Sequence, residues 1–389
     1  MVLIPMFAAK SLTDNIDNFA FSHFFIKLLI KNRIKMRPIV PAVAIAAFFM
    51  VACQPTATRN NEKQGGTLRI NISDIPHLVF PGQVEKRSEQ ILVYQVYSGL
   101  VKYNPKTLEI IPSIAKKHSI STDGLTYTFV LDNRAKFQND RCFPQGKGRH
   151  ITAADFKYSI EQICRNKLTL GHGISRQLKN IEGADDFLPT AKNNDNLSIS
   201  GIVAENDSVL VIKLKKADDL FLHFLASTNA LVFAKEVFNA YGVNGTVGSG
   251  PFKMKYPKII GQQIVLTRDP DYWGLSDQKE QLPYLDSIVC SFITSPKKEI
   301  YMFGIGEVNV VFDMQQNQLT PFLESNIDGF KSDPPLYILS NTSNSNNDKR
   351  FNLITSDVNG LYFNSQNYFD FTEVYLQNPM PRASDTNNK

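Results

Sequence analysis

The chain has 389 residues, of which 43% are hydrophobic and 20% are charged, and its formal net charge is +5 at pH 7. A chain of this length buries a large core over two or three domains. Its composition is that of a globular protein, and its lysines and arginines are scattered, so no basic stretch indicates a nucleic-acid partner.

The first 53 residues have the pattern of an export signal. Basic residues around Met36 precede an apolar run from Ile39 to Met50, which is short for a membrane span and typical of a secretory signal. The run ends in Val51-Ala52-Cys53 and resembles a bacterial lipobox, in which the cysteine is acylated. We therefore predict a lipoprotein signal peptide at 36–53, lipidation of Cys53 and a polar tether at 54–65. The alternative is a membrane-anchoring helix in which Cys53 occurs by chance.

Residues 1–35 do not fit an export signal, because their apolar stretch lies upstream of the basic start. We interpret Met36 as the initiator and 1–35 as a spurious N-terminal extension.

Three cysteines follow Cys53, namely Cys142, Cys164 and Cys290, and none has zinc-ligand spacing. Export to an oxidising compartment would permit one disulfide among these three cysteines, and Cys142 and Cys164 are the pair closest to each other in the sequence. Three free thiols are equally consistent with the sequence, so both alternatives stay open.

The first part of the chain is predicted to contain a strand and a helix, and hairpins dominate the middle. Alternating apolar and polar residues predict a strand at 66–72. Apolar residues at helical spacing predict a helix at 85–100 that ends near Gly99. Asp123-Gly124 lies between two strand-like runs and predicts a hairpin, and a second hairpin is expected around 206–207. Thr152, with Asp155 three residues later, is placed to cap a helix. Residues 219–241 are predicted to form two helical pieces with a break at 227–229.

In the second half of the chain, predicted strands and helices alternate. Strands are predicted at 263–267, 285–294 and 307–313, and Ser295-Pro296 begins a short helix. Residues 340–350 form a polar, low-complexity stretch that predicts a loop. The chain therefore has the pattern of a mixed α/β protein.

Four segments, in this order, resemble the family 5 extracellular solute-binding proteins, which are the peptide and nickel binders of ABC importers. The segments are YSGLVKYNP at 97–105, STDGLTYTF at 121–129 with ITAADF at 151–156, VGSGPF at 247–252, and LTRDPDYWG at 266–274. Residues 142–149 resemble an insertion of some peptide binders, which favours a peptide cargo. The motifs themselves contain turn, cap and packing residues, so they indicate the scaffold and not the binding site.

The resemblance implies a two-lobed, periplasmic-binding-protein-like fold of the mixed α/β class, with an extra subdomain in lobe I. It assigns 66–102 and 230–340 to the core of lobe I, 103–229 to its second subdomain and 341–389 to the start of lobe II. The family continues after a strand like that at 360–364 with an Arg-Gln-Ala-rich helix. That helix is not recognisable here, so we expect lobe II to be largely missing.

The function implied by the resemblance is capture of peptides outside the inner membrane and their delivery to an ABC permease with ATPase subunits. The protein would be periplasmic and lipid-anchored to the inner or outer membrane, with no cofactor and no bound metal. The family analogy places the ligand at the loops 74–80, 166–172 and 227–229. Within these loops we selected polar side chains for the peptide backbone and one aromatic ring for a peptide side chain. The candidate ligand-binding residues are His77, Phe80, His172, Ser227 and Asn229.

Two alternatives to this function remain from the sequence, and a third is not expected. The same scaffold could bind a nickel-chelate, haem or an oligosaccharide. The chain could also be a non-functional truncated fragment. An enzyme is not expected, because the sequence contains no Gly-x-Ser-x-Gly, no His-Glu-x-x-His and no phosphate-binding glycine loop.

Overall fold

The structure is a computed structural model, and it divides the chain into two units, 1–60 and 61–389. It describes residues 63–72, 74–77, 79–165, 174–190, 197–254, 263–315, 321–322, 324, 337–341, 350–354, 358–359 and 369–376. The export signal, Cys53 and His172 lie outside the described residues. Within the described ranges, no helix has the length and apolarity needed to span a membrane.

A seven-stranded sheet forms the centre of the second unit. Its strands are β1 (Thr67–Asn71), β8 (Phe252–Met254), β9 (Gln263–Arg268), β10 (Ser287–Ser291), β11 (Val310–Gln315), β12 (Tyr337–Asn341) and β13 (Arg350–Ile354). Their order in the sheet is β12-β13-β11-β1-β10-β9-β8, and β1 is parallel to both of its neighbours, whereas the outer pairs are antiparallel.

Apolar side chains at alternate positions along the strands explain why one face of this sheet is buried. Leu68 and Ile70 of β1 are fully buried, and Ile70 lies beside Cys290 of β10 and Val310 of β11. Successive side chains point to opposite faces of a strand, so apolar residues at alternate positions share the core face. The predicted strands at 66–72, 263–267, 285–294 and 307–313 are confirmed.

A second sheet of four antiparallel strands has the order β4-β5-β7-β6. These strands are β4 (Ala115–Ile120), β5 (Thr126–Leu131), β6 (Ile202–Asn206) and β7 (Val209–Lys213). Both predicted hairpins are confirmed. In the first, Gly124 has φ of 71°, a left-handed conformation that favours glycine, and the Asp123 side chain accepts from Leu125 N at 3.0 Å. A short pair, β2 (Val101–Tyr103) and β3 (Ile110–Pro112), leads into this sheet.

The helices lie between these strands. They are α1 (Arg87–Val96), α2 (Ala153–Arg165), α3 (Ile174–Lys179), α4 (Ala184–Thr190), α5 (Phe221–Leu225), α6 (Lys235–Tyr241) and α7 (Pro296–Gly304). The predicted break at 227–229 separates α5 from α6. Of the capping box predicted for α2, the structure shows the half that Asp155 provides: its carboxylate accepts from Thr152 N at 2.8 Å. The Thr152 hydroxyl also donates to this carboxylate, at 2.9 Å, instead of accepting from the helix backbone.

Parts of 341–389, which the resemblance assigns to the start of a second lobe, pair and pack with earlier segments of the chain. Strand β13 pairs with β11 in the large sheet, and Phe369 and Phe371 are buried. The fully buried Gln95 donates to Phe369 O at 2.8 Å and accepts from Phe371 N at 3.2 Å. These segments therefore join the same body as the strands before them, because their apolar side chains and backbone groups find partners there.

Ser340, Asn341 and Arg350, at the two ends of the predicted loop 340–350, are paired strand residues, and 342–349 lie outside the described residues. The structure contains Cys142, Cys164 and Cys290 as free thiols, which agrees with the alternative of three free thiols and not with that of one disulfide. Burial raises the pKa of the Cys164 thiol to about 12, so this thiol is protonated at neutral pH.

Candidate functional site at the carboxyl edge

The parallel strands β1, β10 and β11 end at the same edge of the large sheet. In open α/β sheets, ligands bind in the crevice outside the carboxyl ends of such strands. We call the loops that follow β1 and β10, residues 72–86 and 292–295, together with the contacting loop 226–230, the carboxyl edge.

Asn71 joins the two strand ends. Its side chain is buried, donates through Nδ2 to Ile293 O at 2.9 Å and accepts from Ile293 N at 2.8 Å. This pair of bonds holds the loop after β10 against the end of β1. Asn71 was not among the residues predicted from the sequence, although a polar residue at the buried end of an apolar strand was a signal.

Glu89 determines the shape of the loop after β1. Its carboxylate is buried in the first turn of α1, and it accepts from the backbone N–H groups of His77 at 2.8 Å, Glu85 at 2.9 Å and Lys86 at 3.1 Å. Three backbone donors compensate for burial of a carboxylate, and they lie at a helix N-terminus, which favours negative charge. Glu89 was also missed, because its partners in the loop lie up to 12 positions away.

His77 lies on the outer side of this loop and is exposed. Its Nε2 is 3.2 Å from the ammonium of Lys86, which also donates to Ile75 O at 3.2 Å. When Nε2 accepts from the lysine, Nδ1 carries the hydrogen and is a donor. The loop thus presents a cation and a ring donor at the carboxyl edge.

Phe80 belongs to the core. Its side chain is fully buried, and its ring centroid lies 4.7 Å from that of Phe233, 6.0 Å from that of Phe238 and 6.1 Å from that of Tyr97. Burying such a ring contributes about 2–3 kcal/mol to folding. In this arrangement its ring has no surface for a ligand, which corrects the expectation that it packs a peptide side chain.

The loop at 227–229 meets the loop after β1, because Gly82 N donates to Thr228 O at 3.1 Å. Ser227 Oγ donates to Phe224 O at 2.7 Å and accepts from Asn229 N at 3.3 Å, so its hydroxyl is used to end α5. The structure therefore brings the loop that contains His77 and the 227–229 loop to one edge.

Two amide oxygens beside this loop contact are buried without a hydrogen-bond partner within the described part of the chain. They are Gln83 Oε1 and Asn229 Oδ1. An unsatisfied buried acceptor costs about 1–3 kcal/mol, and a donor from a ligand would remove that cost. Gln83 was not selected from the sequence, because nothing in its neighbours distinguishes it from a surface glutamine.

Glu299 adds a titratable group to this edge. It lies in the first turn of α7 and is half-buried, and burial raises the pKa of its carboxyl to about 7, with opposing hydrogen bonds from the Asn71 side chain and the Phe312 backbone. The carboxyl edge therefore combines a cation, neutral donors and acceptors, and a carboxyl group that titrates near neutral pH. These groups are suited to hydrogen bonding with a peptide backbone. Among the described residues, no group of three or more His, Cys, Asp or Glu side chains is placed to hold a metal ion.

Comparison with known proteins agrees with this architecture. The family model "Bacterial extracellular solute-binding proteins, family 5 Middle" matches residues 109–369. The oligopeptide-binding protein OppA of Bacillus subtilis (strain 168) is 25% identical over 285 residues, which cover 70% of this chain and 48% of that protein. The nickel-binding periplasmic protein of Escherichia coli (strain K12) is 26% identical over 249 residues, which cover 62% of this chain and 40% of that protein.

Solved structures show the same fold. Haemophilus influenzae OppA in complex with the peptide RPPGFSPFR has a TM-score of 0.58 and 20% identity, and the match covers 72% of this chain and 50% of that one. Helicobacter pylori DppA in complex with the peptide STSA has a TM-score of 0.56 and 21% identity, with coverage of 72% and 51%. The fold is thus the mixed α/β fold of periplasmic peptide-binding proteins, and this chain spans about half the length of the solved relatives it matches.

Proposed function

Because the chain belongs to the bacterial extracellular solute-binding proteins of family 5, we propose that it is the substrate-binding component of an ABC importer for peptides. It captures a peptide outside the inner membrane and delivers it to the permease, whose ATPase subunits supply the energy. Its role is binding and not catalysis. The B. subtilis and H. influenzae relatives, named as oligopeptide-binding or solved with a peptide, support the choice of cargo.

The observation that carries the proposal is the pair of unbonded acceptors beside an exposed donor pair. Gln83 Oε1 and Asn229 Oδ1 match the N–H groups of a peptide backbone, and Lys86 and His77 match its carbonyl or carboxylate oxygens. Every peptide has the same backbone, so a site of this kind binds peptides of many sequences. We expect weak dependence of affinity on the identity of the peptide side chains.

The direct test is native mass spectrometry of the full chain with a mixture of short peptides, followed by calorimetry with those that bind. The double variant Gln83→Met/Asn229→Leu removes both acceptors. Peptide affinity is expected to fall about tenfold or more, while the free energy of unfolding stays equal or rises, because two unsatisfied groups have been removed.

Asn239→Leu, at an exposed position of α6, is the matched control and should change neither quantity. Unchanged affinity in the double variant, or no peptide bound by the parent chain, would overturn the proposal. The same spectra report a nickel-chelate, haem or an oligosaccharide, if one of these is the cargo.

We also propose that the mature protein is anchored in the periplasm by a lipid on Cys53. The apolar run that ends at Val51-Ala52-Cys53 supports this, and the E. coli relative is named as periplasmic. Metabolic labelling with an alkyne fatty acid should label the parent chain and not Cys53→Ala. Equal labelling of both would exclude this cysteine as the anchor.

A further inference from the structure

The opposite edge of the large sheet contains a cleft that the proposed capture site does not use. Gly65 N, just before β1, donates to Tyr284 O at 2.8 Å, so the segments that lead into β1 and β10 lie side by side. A cavity of about 820 Å³ opens there. We call it the amino-edge cleft. Its size lies in the range of natural ligand sites, and the five residues of β1, about 17 Å, separate it from the carboxyl edge.

Aromatic rings form two walls of the amino-edge cleft. The rings of Tyr272 and Trp273 lie 5.6 Å apart, and those of Tyr284 and Tyr375 lie 5.9 Å apart, edge to face. The indole Nε1 of Trp273 is buried and has no hydrogen-bond partner in the part of the chain that the structure describes. A buried N–H group without a partner is uncommon in a folded protein, and an acceptor on a ligand in the cleft would satisfy it.

One end of the amino-edge cleft is acidic. Asp277 and Glu373 line it, both are exposed, and neither has a hydrogen-bonded cation within the described ranges. The pKa of the Glu373 carboxyl is raised, first by burial. The charge of Lys102 and that of Lys63 lower this pKa, and those of Asp370 and Asp277 raise it, so several carboxylates lie close enough to interact at this end.

The chain itself shows that this end accepts an ammonium group. Lys63 Nζ bonds Glu280 at 3.2 Å and lies over the rings of Tyr284, at 5.4 Å, and Tyr375, at 5.8 Å. The pKa of Lys63 is raised, first by the hydrogen bond to Glu280. Carboxylates and aromatic faces together stabilise an ammonium group through charge and cation–π attraction.

The other end is basic. Lys106 and Lys116 are exposed and line the cleft, and neither has an ion-pair partner among the described residues. Arg134 bonds Asp132 at 2.6 Å, and the pKa of Asp132 is lowered, first by that hydrogen bond and also by the charge of Lys116. The Asp132 carboxylate therefore faces two cations, Arg134 and Lys116, and Lys106 also lines the cleft.

The middle of the cleft is electrically balanced. Lys102 and Asp370 form an ion pair at 2.7 Å, and the Asp370 side chain is only 12% exposed. The charge therefore changes sign from one end of the cleft to the other, with aromatic rings and an unbonded N–H group between the ends.

We propose that the amino-edge cleft is a second ligand site that binds a short zwitterionic peptide, with its ammonium at Asp277 and Glu373 and its carboxylate at Lys106 and Lys116. The opposite charges at the two ends orient the ligand, and Trp273 Nε1 donates to one of its carbonyl oxygens. This site does not depend on capture at the carboxyl edge, because the two share no residue.

The chain contains a single tryptophan, so its fluorescence reports on this cleft alone. We expect trialanine with free termini to produce a saturable change in Trp273 emission of the full chain. N-acetyl-trialanine and trialanine amide should each bind about tenfold more weakly, because each lacks one charge.

Variants that remove the charges at one end of the amino-edge cleft test which terminus of the peptide binds there. Asp277→Asn/Glu373→Gln should bind trialanine and its N-acetyl analogue equally, and Lys106→Gln/Lys116→Gln should bind trialanine and its amide equally. The four side chains are exposed, so these substitutions leave the core unchanged. Glu205→Gln/Asp207→Asn and Lys117→Gln, at exposed positions outside the cleft, are the matched controls and should keep both preferences.

Trp273→Phe keeps an aromatic ring and removes the N–H donor, and by calorimetry it should bind trialanine about fivefold more weakly. Gln83→Met/Asn229→Leu at the carboxyl edge should leave the fluorescence titration unchanged. The proposal is overturned if trialanine produces no saturable change, if the carboxyl-edge variant abolishes it, or if the charge variants keep both preferences.

Discussion

The two edges of the large sheet hold their polar groups in different ways. At the carboxyl edge, the buried side chains of Asn71 and Glu89 bond backbone groups of the adjoining loops. At the amino edge, charged side chains bond each other, as in the pair of Lys102 with Asp370. Hydrogen bonds to the backbone hold one loop conformation, whereas ion pairs that remain partly open to solvent are weakened by salt and by protonation of the carboxylate at acidic pH.

This difference indicates how each edge would select a ligand. The carboxyl edge has a loop shape that its own buried groups maintain, and its unbonded acceptors suit the repeated backbone of a peptide. The amino edge is a charged cleft, so its ligand is selected by the positions of its charges. Substitutions that change one edge without the other are therefore the most informative.

The largest effect on stability is expected for Phe80→Ala. The ring is fully buried among three other aromatic rings, and its removal leaves a cavity, so the free energy of unfolding in urea should fall by about 4 kcal/mol. His77→Ala in the same loop removes an exposed ring and should change stability by no more than about 0.5 kcal/mol. If Phe80→Ala lowered peptide affinity while stability stayed unchanged, Phe80 would be a ligand contact after all.

Glu89→Ala should cost about 3 kcal/mol, because three backbone N–H groups lose their shared acceptor. The variant should also lose peptide binding at the carboxyl edge and retain the trialanine titration at the amino edge. Calorimetry and Trp273 fluorescence on the same sample measure both. Glu85→Ala, an exposed carboxylate four residues earlier, is the matched control. Loss of both binding events in Glu89→Ala would mean that the two edges are coupled.

Asp370→Asn should cost about 2 kcal/mol at neutral pH, because it leaves Lys102 in a partly buried site without its countercharge. Burial raises the pKa of Asp370, but the charge and hydrogen bond of Lys102 outweigh it, and the net shift is downward. The stabilisation is therefore present at neutral pH and is lost as the pH falls through the lowered pKa. Urea unfolding of the parent and variant at several acidic pH values measures this. The exposed Asp219→Asn should show no such difference.

Glu299→Gln is expected to have the smallest effect, and it depends on pH. The pKa of this carboxyl is raised from 4.5 to about 7, so the native state holds a proton that the unfolded chain releases between these values. The free energy of unfolding of the parent should fall by about 1 kcal/mol as the pH rises through this window, after allowance for solvent screening. Glu299→Gln should remove that fall, and the exposed Glu307→Gln should keep it. A parent chain whose stability is level from pH 4.5 to 7 would contradict the raised pKa.

The sequence by itself determined the elements whose signals are local. The Asp123-Gly124 turn, the Thr152 and Asp155 pair and the alternation in 66–72 each predicted an element that the structure contains. These signals are local because a turn, a cap and a strand face each depend on residues within a few positions of each other. The order of the four motifs likewise indicated the family before any fold was known.

Only the tertiary structure decided which residues meet. It placed Phe80 in the core and Asn71, Glu89 and Gln83 at the carboxyl edge, and it joined Arg350–Ile354 to the large sheet. These outcomes depend on partners far away in the chain, such as Ile293 for Asn71, and on which apolar side chains fill the shared core. Burial and hydrogen-bond satisfaction are properties of the packed molecule, so a residue's own neighbours in sequence do not specify them.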